Sequence, residues 1–236
     1  DGVDVSIIKS DGNQEFSILF DKYFQYDEEL TQKILKIRDK ILSPDDLTKY
    51  QVEIKDLERE ITLFHFKAVN KCLELSKSDV DLIGFHGQTI FHAPEKKITK
   101  QLGDGLLLSQ LTKKKVIYNF RQNDLENGGQ GAPLAPIFHN ALANELNKKL
   151  NLGFPINILN IGGISNVTST IEYNNLDFEE KIYAFDIGPG NCLIDEWMRK
   201  NSKKSYDQEG LVARSGKTDK LISVSYTHLT LPTRIF

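Results

Sequence analysis

Residues that could do chemistry stand in short polar loops that follow apolar runs of the sequence. Asp124 lies within FRQNDLENGGQGAPLAPIFH, residues 120–139, just before the glycines of GGQG. An ionised carboxylate accepts protons, so Asp124 is a candidate general base toward water or a hydroxyl group. The structural alternative is an Asx turn or a helix cap with Arg121 as its ion-pair partner. Composition alone favours that alternative.

A second polar set is HGQT, which follows the apolar run DLIGF. His86, Gln88 and Thr89 supply the donors and acceptors that bind sugar hydroxyls. A lone histidine is more often a satisfied structural group, and without further context that alternative is preferred. In LGDG, residues 102–105, Asp104 is predicted to cap a helix.

Two glycine-rich turns follow apolar runs further along the chain: NIGGISN, residues 160–166, and DIGPGN, residues 186–191. Backbone N–H groups in such turns can surround a phosphate. Neither turn has Walker or G-x-G-x-x-G spacing, and G-x-S-x-G is absent, which disfavours P-loop, dinucleotide-binding and serine-hydrolase classes. Asp186 either reaches a metal-bound water or caps the following helix. Together the loops favour a phosphate-handling enzyme.

The elements around these loops predict an α/β fold with a central sheet, in which ligands bind beyond the carboxyl ends of strands. The N-terminal part predicts a hairpin with its turn at Asp11-Gly12 and a helix over 27–41. A long helix over 44–76 carries an apolar seam that should cover a sheet face. From residue 79 on, strands are predicted at 79–85, 115–120, 156–171 (two strands joined at Gly162-Gly163) and 181–185, and helices at 106–111, 136–150 and 192–200.

Composition excludes several classes of protein. The chain has 236 residues, of which 39% are hydrophobic and 27% charged, so it is not a disordered tail. The net charge of −3 gives no general field for nucleic acid. No run of eighteen apolar residues predicts a membrane span. Cys72 and Cys192 are expected to be free thiols in a reducing cytosol.

Five motifs stand in an order found in one known family: HGQT, FRQNDLENGGQGAPLAPIFH, NIGGISN, FDIGPGN and YDQEGLVARSG. Over residues 1 to about 222 the sequence resembles the anhydro-N-acetylmuramic acid kinases of the sugar kinase, Hsp70 and actin superfamily. The resemblance implies an actin-like (ribonuclease H-like) fold truncated at both ends. A nearly complete first domain is expected at 1–152 and a partial second domain at 153–222. Residues 223–236 resemble translated adapter sequence and are expected to be non-native and poorly ordered.

The resemblance also implies an activity. It is that of a phosphotransferase that uses ATP and Mg²⁺ to cleave the anhydro ring of 1,6-anhydro-N-acetylmuramic acid. Phosphate is added to O6, which gives N-acetylmuramic acid 6-phosphate for peptidoglycan recycling and amino sugar catabolism. The implied partners are the amino sugar and ATP, without nucleic acid or membrane. A cytoplasmic location is implied, and a homodimer is expected for the full-length protein.

Site roles follow from the resemblance, position by position. Asp124 falls on the catalytic base of the family. The implied sugar-binding residues are His86, Gln88, Thr89, Arg121, Gly128, Gly129 and Gln130. The implied nucleotide- and phosphate-binding residues are Asp1, Gly2, Asn160, Gly162, Gly163, Asn166, Asp186, Gly188, Gly190 and Asn191. Asp1 is also expected to reach a magnesium ion through water.

Two other functions stay open at this point. An actin-like fragment could bind a sugar or a nucleotide without turnover. A glycosidase would need two opposed carboxylates, and the sequence gives no such geometry to Asp124 and Glu126. A kinase predicts product that depends on ATP and Mg²⁺, a binding module predicts saturable binding alone, and a glycosidase predicts ring opening without ATP.

Overall fold

A computed structural model describes residues 2–12, 15–171 and 182–227. The chain divides into two compact units, the first running through Leu134 and the second beginning at Ala135. The predicted boundary after residue 152 would place the helix over 135–150 in the first domain, and this boundary stays a prediction. In the described ranges no helix is long and apolar enough to cross a bilayer.

The first unit contains both strands and helices. Some of its strands pair with the next strand in the sequence, and others pair with a strand further along the chain. In chain order its elements are β1 (Gly2–Ser10), β2 (Phe16–Gln25), α1 (Glu28–Lys40), α2 (Pro44–Lys49), α3 (Gln51–Ser76), β3 (Leu82–Gly84), β4 (Gln88–Ala93), β5 (Ile98–Leu102), α4 (Gly105–Thr112), β6 (Lys115–Ile117) and α5 (Phe120–Glu126). The α/β class predicted from the sequence is therefore confirmed.

Helix α3 organises the core of this unit, as its apolar seam predicts. Ile54, Leu57 and Ile61 are buried at helical spacing, and α3 contacts both strands of the β1–β2 hairpin. Burying an aliphatic side chain of this size contributes about 1.5–3 kcal/mol. The predicted single helix over 44–76 is in fact α2 and α3, because the backbone at Tyr50 leaves helical geometry with φ −103° and ψ 20°.

The predicted central sheet is not continuous in the described part of the chain. Its strands form four hydrogen-bonded groups: β1–β2, parallel β3–β6, antiparallel β4–β5, and a three-stranded group in the second unit. The β4–β5 hairpin was not predicted, and it places Gln88 and Thr89 in a strand instead of a loop. Parallel β3 and β6 nonetheless bring HGQT and the segment after residue 117 to the same edge.

The predicted strand over 115–120 ends early, and this changes the setting of Asp124. Strand β6 stops at Ile117, and Asn119 has a left-handed backbone with φ 60° just before α5 begins. Asp124 therefore lies in the last turn of a short helix and not in a loop. The weak apolar periodicity of FRQNDLE explains why sequence patterns do not reveal this helix.

The second unit contains an antiparallel sheet in the order β7–β8–β9, flanked by helices. Its elements are α6 (Ala135–Leu150), β7 (Ile156–Ile161), β8 (Ile164–Thr170), β9 (Ile182–Pro189), α7 (Cys192–Asn201), α8 (Leu211–Ser215) and α9 (Lys220–Thr227). Helix α6 contacts all three strands. The predicted hairpin at Gly162-Gly163 and the helix after DIGPGN are confirmed.

The last described residues form α9, whose Leu221 and Ile222 are largely exposed. Residues 228–236 lie outside the described residues, so the expectation of a poorly ordered, non-native tail stays a prediction. Asp1 and residues 172–181 lie outside them as well.

Candidate functional site

The carboxylate of Asp124 is held by the glycine-rich turn that follows α5. The Gly131 amide donates to Asp124 Oδ2 at 2.7 Å. The Gly129 amide donates to the Asp124 carbonyl oxygen at 2.8 Å, which closes the helix onto the turn. The segment therefore fixes both the backbone and the side chain of Asp124.

Two glycines are required by this arrangement for different reasons. A Cβ at Gly129 would overlap the Asp124 carboxylate, so no side chain fits there. Gly131 has φ +71°, and a Cβ there would lie 3.0 Å from His92 Cε1. Gly128, Gly129 and Gln130 are exposed, whereas Gly131 is buried. The turn thus presents its exposed backbone beside Asp124.

Arg121 lies one turn before Asp124 on α5, on the same helix face. Its Nη1 donates to the Gly131 carbonyl oxygen at 2.8 Å, and its Nε donates to His86 Nε2 at 2.8 Å. The expected direct ion pair with Asp124 is replaced by these two contacts. Arg121 thus contacts the same glycine that donates to Asp124, and one backbone donor, the Gly131 amide, holds the carboxylate.

The hydrogen bonds of His86 determine its protonation state. An N–H donor from Arg121 requires an unprotonated Nε2, so Nδ1 carries the hydrogen and donates to the Gly87 carbonyl oxygen at 2.8 Å. Desolvation by the surrounding protein lowers the pKa of His86, and the Arg121 charge acts in the same direction. His86 is therefore neutral at pH 7, and both its ring nitrogens are engaged.

The remaining HGQT residues lie at the start of β4, against β5. Thr89 Oγ1 accepts a hydrogen bond from Gln101 Nε2 at 3.3 Å, and Gln88 is partly buried. The hairpin brings HGQT beside LGDG, where Asp104 caps α4 by accepting from Leu107 at 2.9 Å. The predicted helix cap at Asp104 is confirmed.

Sequence reasoning missed two residues that support this region. Thr62 of α3 is fully buried, and its Oγ1 accepts from the Asp104 amide at 2.9 Å. His92 on β4 packs against Gly131, with Nδ1 3.1 Å from Thr99 Oγ1 and a buried Nε2 that lacks a hydrogen bond of good geometry. The second histidine of HGQTIFH was the available signal for His92. Burial lowers its pKa, as does the charge of Arg121.

In the second unit, sheet register brings three predicted polar residues into one row. Asn160 pairs with Asn166, and Asn166 pairs with Asp186. Directly paired residues project from the same face of a sheet, so these side chains are neighbours. The row lies at the end of the sheet that carries the Gly162-Gly163 turn.

The two glycine-rich turns of this unit are bonded to each other through their backbones. The Asn191 amide donates to the Gly162 carbonyl oxygen at 2.7 Å, and the Gly190 amide donates to the Gly163 carbonyl oxygen at 2.9 Å. Asn191 Nδ2 also donates to the Ile161 carbonyl oxygen at 3.2 Å. Within the described residues, the amides of Gly162 and Gly163 donate to no protein acceptor, which leaves them available to an anion.

The structure gives less information on the other residues predicted to bind phosphate or metal. Gly188 lies near the end of β9 with φ +155°, and Gly2 begins β1 opposite Gln25. Asp1, the expected magnesium contact, lies outside the described residues. In the ranges that the structure covers, no group of three or more His, Cys, Asp or Glu residues is arranged to hold a metal ion.

Comparison with known proteins identifies relatives over nearly the whole chain. A family model described as anhydro-N-acetylmuramic acid kinase matches residues 1–227. The anhydro-N-acetylmuramic acid kinase of Pelagibacter ubique is 53% identical over 222 residues, which are 94% of this chain and 57% of that protein. The kinases of the same name from Rhizobium etli and Agrobacterium fabrum are 36% and 39% identical, over 96% and 92% of this chain.

The chain spans 57–60% of the length of these three relatives. The matched span nevertheless includes all the motifs described above, in both units. The extent of the family match and the identity to the Pelagibacter protein lead to one conclusion. The chain belongs to the anhydro-N-acetylmuramic acid kinase family.

Proposed function

We propose that this chain carries the sugar site and the first phosphate-binding turns of an enzyme that opens 1,6-anhydro-N-acetylmuramic acid and phosphorylates it at O6. The product is N-acetylmuramic acid 6-phosphate. The observation that carries the proposal is the Asp124 carboxylate, which Gly131 holds at 2.7 Å in a turn that the family match includes.

Asp124 serves as the general base in this proposal. Its Oδ2 is occupied by the Gly131 amide, and Oδ1 takes a proton from water. That water attacks the anomeric carbon, and the bond from this carbon to the bridging oxygen breaks. The released O6 receives the γ-phosphoryl group of ATP, and ADP is the leaving group. Positioning supplies most of the catalytic effect in such a transfer.

The sugar lies between HGQT and the exposed part of the glycine turn. Gln88 and Thr89 offer an amide and a hydroxyl at the start of β4, and Gly128, Gly129 and Gln130 offer exposed backbone beside Asp124. Arg121 keeps three N–H donors beyond the two that it uses within the protein. These donors suit the oxygens of an acidic amino sugar.

The second unit contributes to the nucleotide site. The amides of Gly162 and Gly163 fit a phosphate, and Asn160, Asn166 and Asp186 form an adjacent polar row with one carboxylate. ATP supplies the phosphoryl group, and Mg²⁺ neutralises charge on the phosphates. Asp186 would reach the metal through water, and Gly188, Gly190 and Asn191 would complete the phosphate-binding backbone of this unit. Asp1 and Gly2 stay predicted phosphate-binding residues of the first unit.

The family supports the wider features of the proposal. We propose an actin-like fold with domains at 1–152 and 153–222, a cytoplasmic role in peptidoglycan recycling, and a homodimer in the full-length protein. The mixed α/β architecture and the family match support this fold.

The test uses this chain and a chimera in which the chain replaces the matching 222-residue segment of the Pelagibacter ubique relative. Sugar phosphate that forms only with both ATP and Mg²⁺ is the expected result for the chimera. Sugar binding without turnover would favour a binding module, and ring opening without ATP would favour a glycosidase. Either result would contradict the proposal.

A further inference from the structure

Gly131 is restrained from several directions by side chains of the first unit. Its amide donates to Asp124 Oδ2, and its carbonyl oxygen accepts from Arg121 Nη1 at 2.8 Å. The His92 ring and the Leu125 side chain lie where a Cβ would project, at 3.0 Å and 3.1 Å. The two peptide groups that meet at the Gly131 Cα are therefore held by different side chains: Asp124 binds the N–H of one, and Arg121 binds the carbonyl oxygen of the other.

Arg121 is itself oriented by His86. Its guanidinium is planar, so a hydrogen bond from Nε and a hydrogen bond from Nη1 together fix the plane of the group. His86 is fixed in turn, because its Nδ1 donates to the Gly87 carbonyl oxygen. A continuous set of hydrogen bonds thus joins the HGQT turn to Asp124.

We propose that His86 and Arg121 are positioning residues that orient the Asp124 carboxylate through Gly131. This deepens the proposed function and rests on it for the role of Asp124. The hydrogen-bond relay, which runs from His86 through Arg121 and Gly131 to Asp124, can nevertheless be tested without turnover. It also changes the expected role of His86. With both ring nitrogens engaged by protein groups, His86 serves as an acceptor for Arg121 instead of a ligand for the sugar.

The relay makes a spectroscopic prediction for the unmodified chain. The ¹⁵N shifts of His86 should report a neutral imidazole with the hydrogen on Nδ1 at about pH 7.5, one unit above its ordinary pKa. A protonated ring, or a hydrogen on Nε2, would overturn the proposal because Arg121 would then have no acceptor. This measurement does not depend on any variant that fails to fold.

Three variants test the transmission to Gly131 by amide hydrogen exchange. His86→Leu removes the acceptor, and the protection of the Gly131 amide should fall about 10-fold, the effect of one hydrogen bond. His86→Gln keeps an acceptor near the position of Nε2 and should retain most of the protection. Arg121→Lys keeps the charge but cannot make both contacts, so protection should fall as in His86→Leu.

The control is Glu126→Gln, which changes an exposed carboxylate at the end of the same helix and should leave Gly131 protected. Unchanged protection in folded His86→Leu and Arg121→Lys would overturn the relay. In the chimera, a positioning role for His86 predicts that His86→Leu lowers kcat and leaves KM for the sugar nearly unchanged, with His86→Gln close to the parent. A rise in KM alone would instead make His86 a sugar ligand. If the parent chimera lacks turnover, the proposed function fails while the exchange data still decide the relay.

Discussion

The Gly131 amide donates a hydrogen bond to the Asp124 carboxylate at 2.7 Å, between residues that are seven positions apart in the chain. Two of the glycines in GGQG are required by the geometry of the turn that follows α5. Gly129 leaves room for the carboxylate, and Gly131 adopts a backbone that favours glycine. The glycine-rich loop predicted from the sequence thus serves in the structure to hold one side chain.

Gly129→Ala should displace Asp124, because the new methyl group would overlap the carboxylate. We expect activity of the chimera to fall about 10²-fold or more, as when a general base is misplaced. Gly84→Ala is the matched control, since a methyl group there meets the Phe120 ring at an ordinary 3.8 Å. Equal activity of the two variants would show that Gly129 does not constrain the base.

Thr62→Val should destabilise the first unit. The substitution removes the hydroxyl that accepts from the Asp104 amide at 2.9 Å, and a buried donor without a partner costs about 1–3 kcal/mol. Urea denaturation measures this change in the free energy of unfolding. Thr62→Ser keeps the hydroxyl and should lose much less, so equal losses in the two variants would contradict the assigned hydrogen bond.

Periodicity predicted the longer helices and the main strands because those segments bury one apolar side, as Ile54, Leu57 and Ile61 do in α3. It did not predict the hairpin of β4 and β5. There Thr89 and Phe91 straddle an irregularity in the pairing, which interrupts simple alternation. The turn at Pro94–Lys96 lies between two segments that each contain Thr and Ile, and it was the available sequence signal for this hairpin.

Unfolding should become easier below about pH 6.5 because burial holds the pKa of His65 below its ordinary value of 6.5. The Ile61 carbonyl opposes this shift, and the neighbouring His86 adds to it. The unfolded chain binds the proton more readily, so the free energy of unfolding is at its full value above pH 6.5. It then declines as the pH falls toward the lower folded pKa.

Denaturation at several pH values between about 5 and 8 measures this slope. His65→Gln should make the slope shallower without abolishing it, because burial also lowers the pKa of His92 and His139. A slope of the opposite sign in the parent protein would contradict the burial of these rings as neutral groups.

Asp186→Asn should weaken binding of ATP with Mg²⁺ to the chimera by about 10-fold, the effect of one charge-assisted interaction. Asp186 lies beside Asn166 in the row near the Gly162-Gly163 turn. Sugar binding should be unchanged. Asp195→Asn, a change of the same kind in the first turn of α7, is the control. A loss of sugar binding instead of nucleotide binding would contradict the assignment of this row.

The candidate site was predictable as a set of motifs but not as a set of contacts. HGQT and GGQG were evident in the sequence, whereas the bond from Arg121 to His86 spans 35 residues and depends on the pairing of β3 with β6. A contact between residues this far apart in the chain leaves no periodic pattern in the sequence. The row of Asn160, Asn166 and Asp186 likewise follows from register, which a bulge after Ser165 shifts by one residue.

The most direct test of the account is turnover of 1,6-anhydro-N-acetylmuramic acid by the chimera carrying Asp124→Asn, with ATP and Mg²⁺. The amide keeps the size of the side chain and an acceptor for the Gly131 amide, but it cannot take a proton. The rate should fall about 10²–10⁴-fold while the sugar, measured by calorimetry, still binds. Glu126→Gln, the same change at an exposed position of α5, should retain the parent rate. Turnover of Asp124→Asn close to that of Glu126→Gln would remove Asp124 from the mechanism and contradict the account.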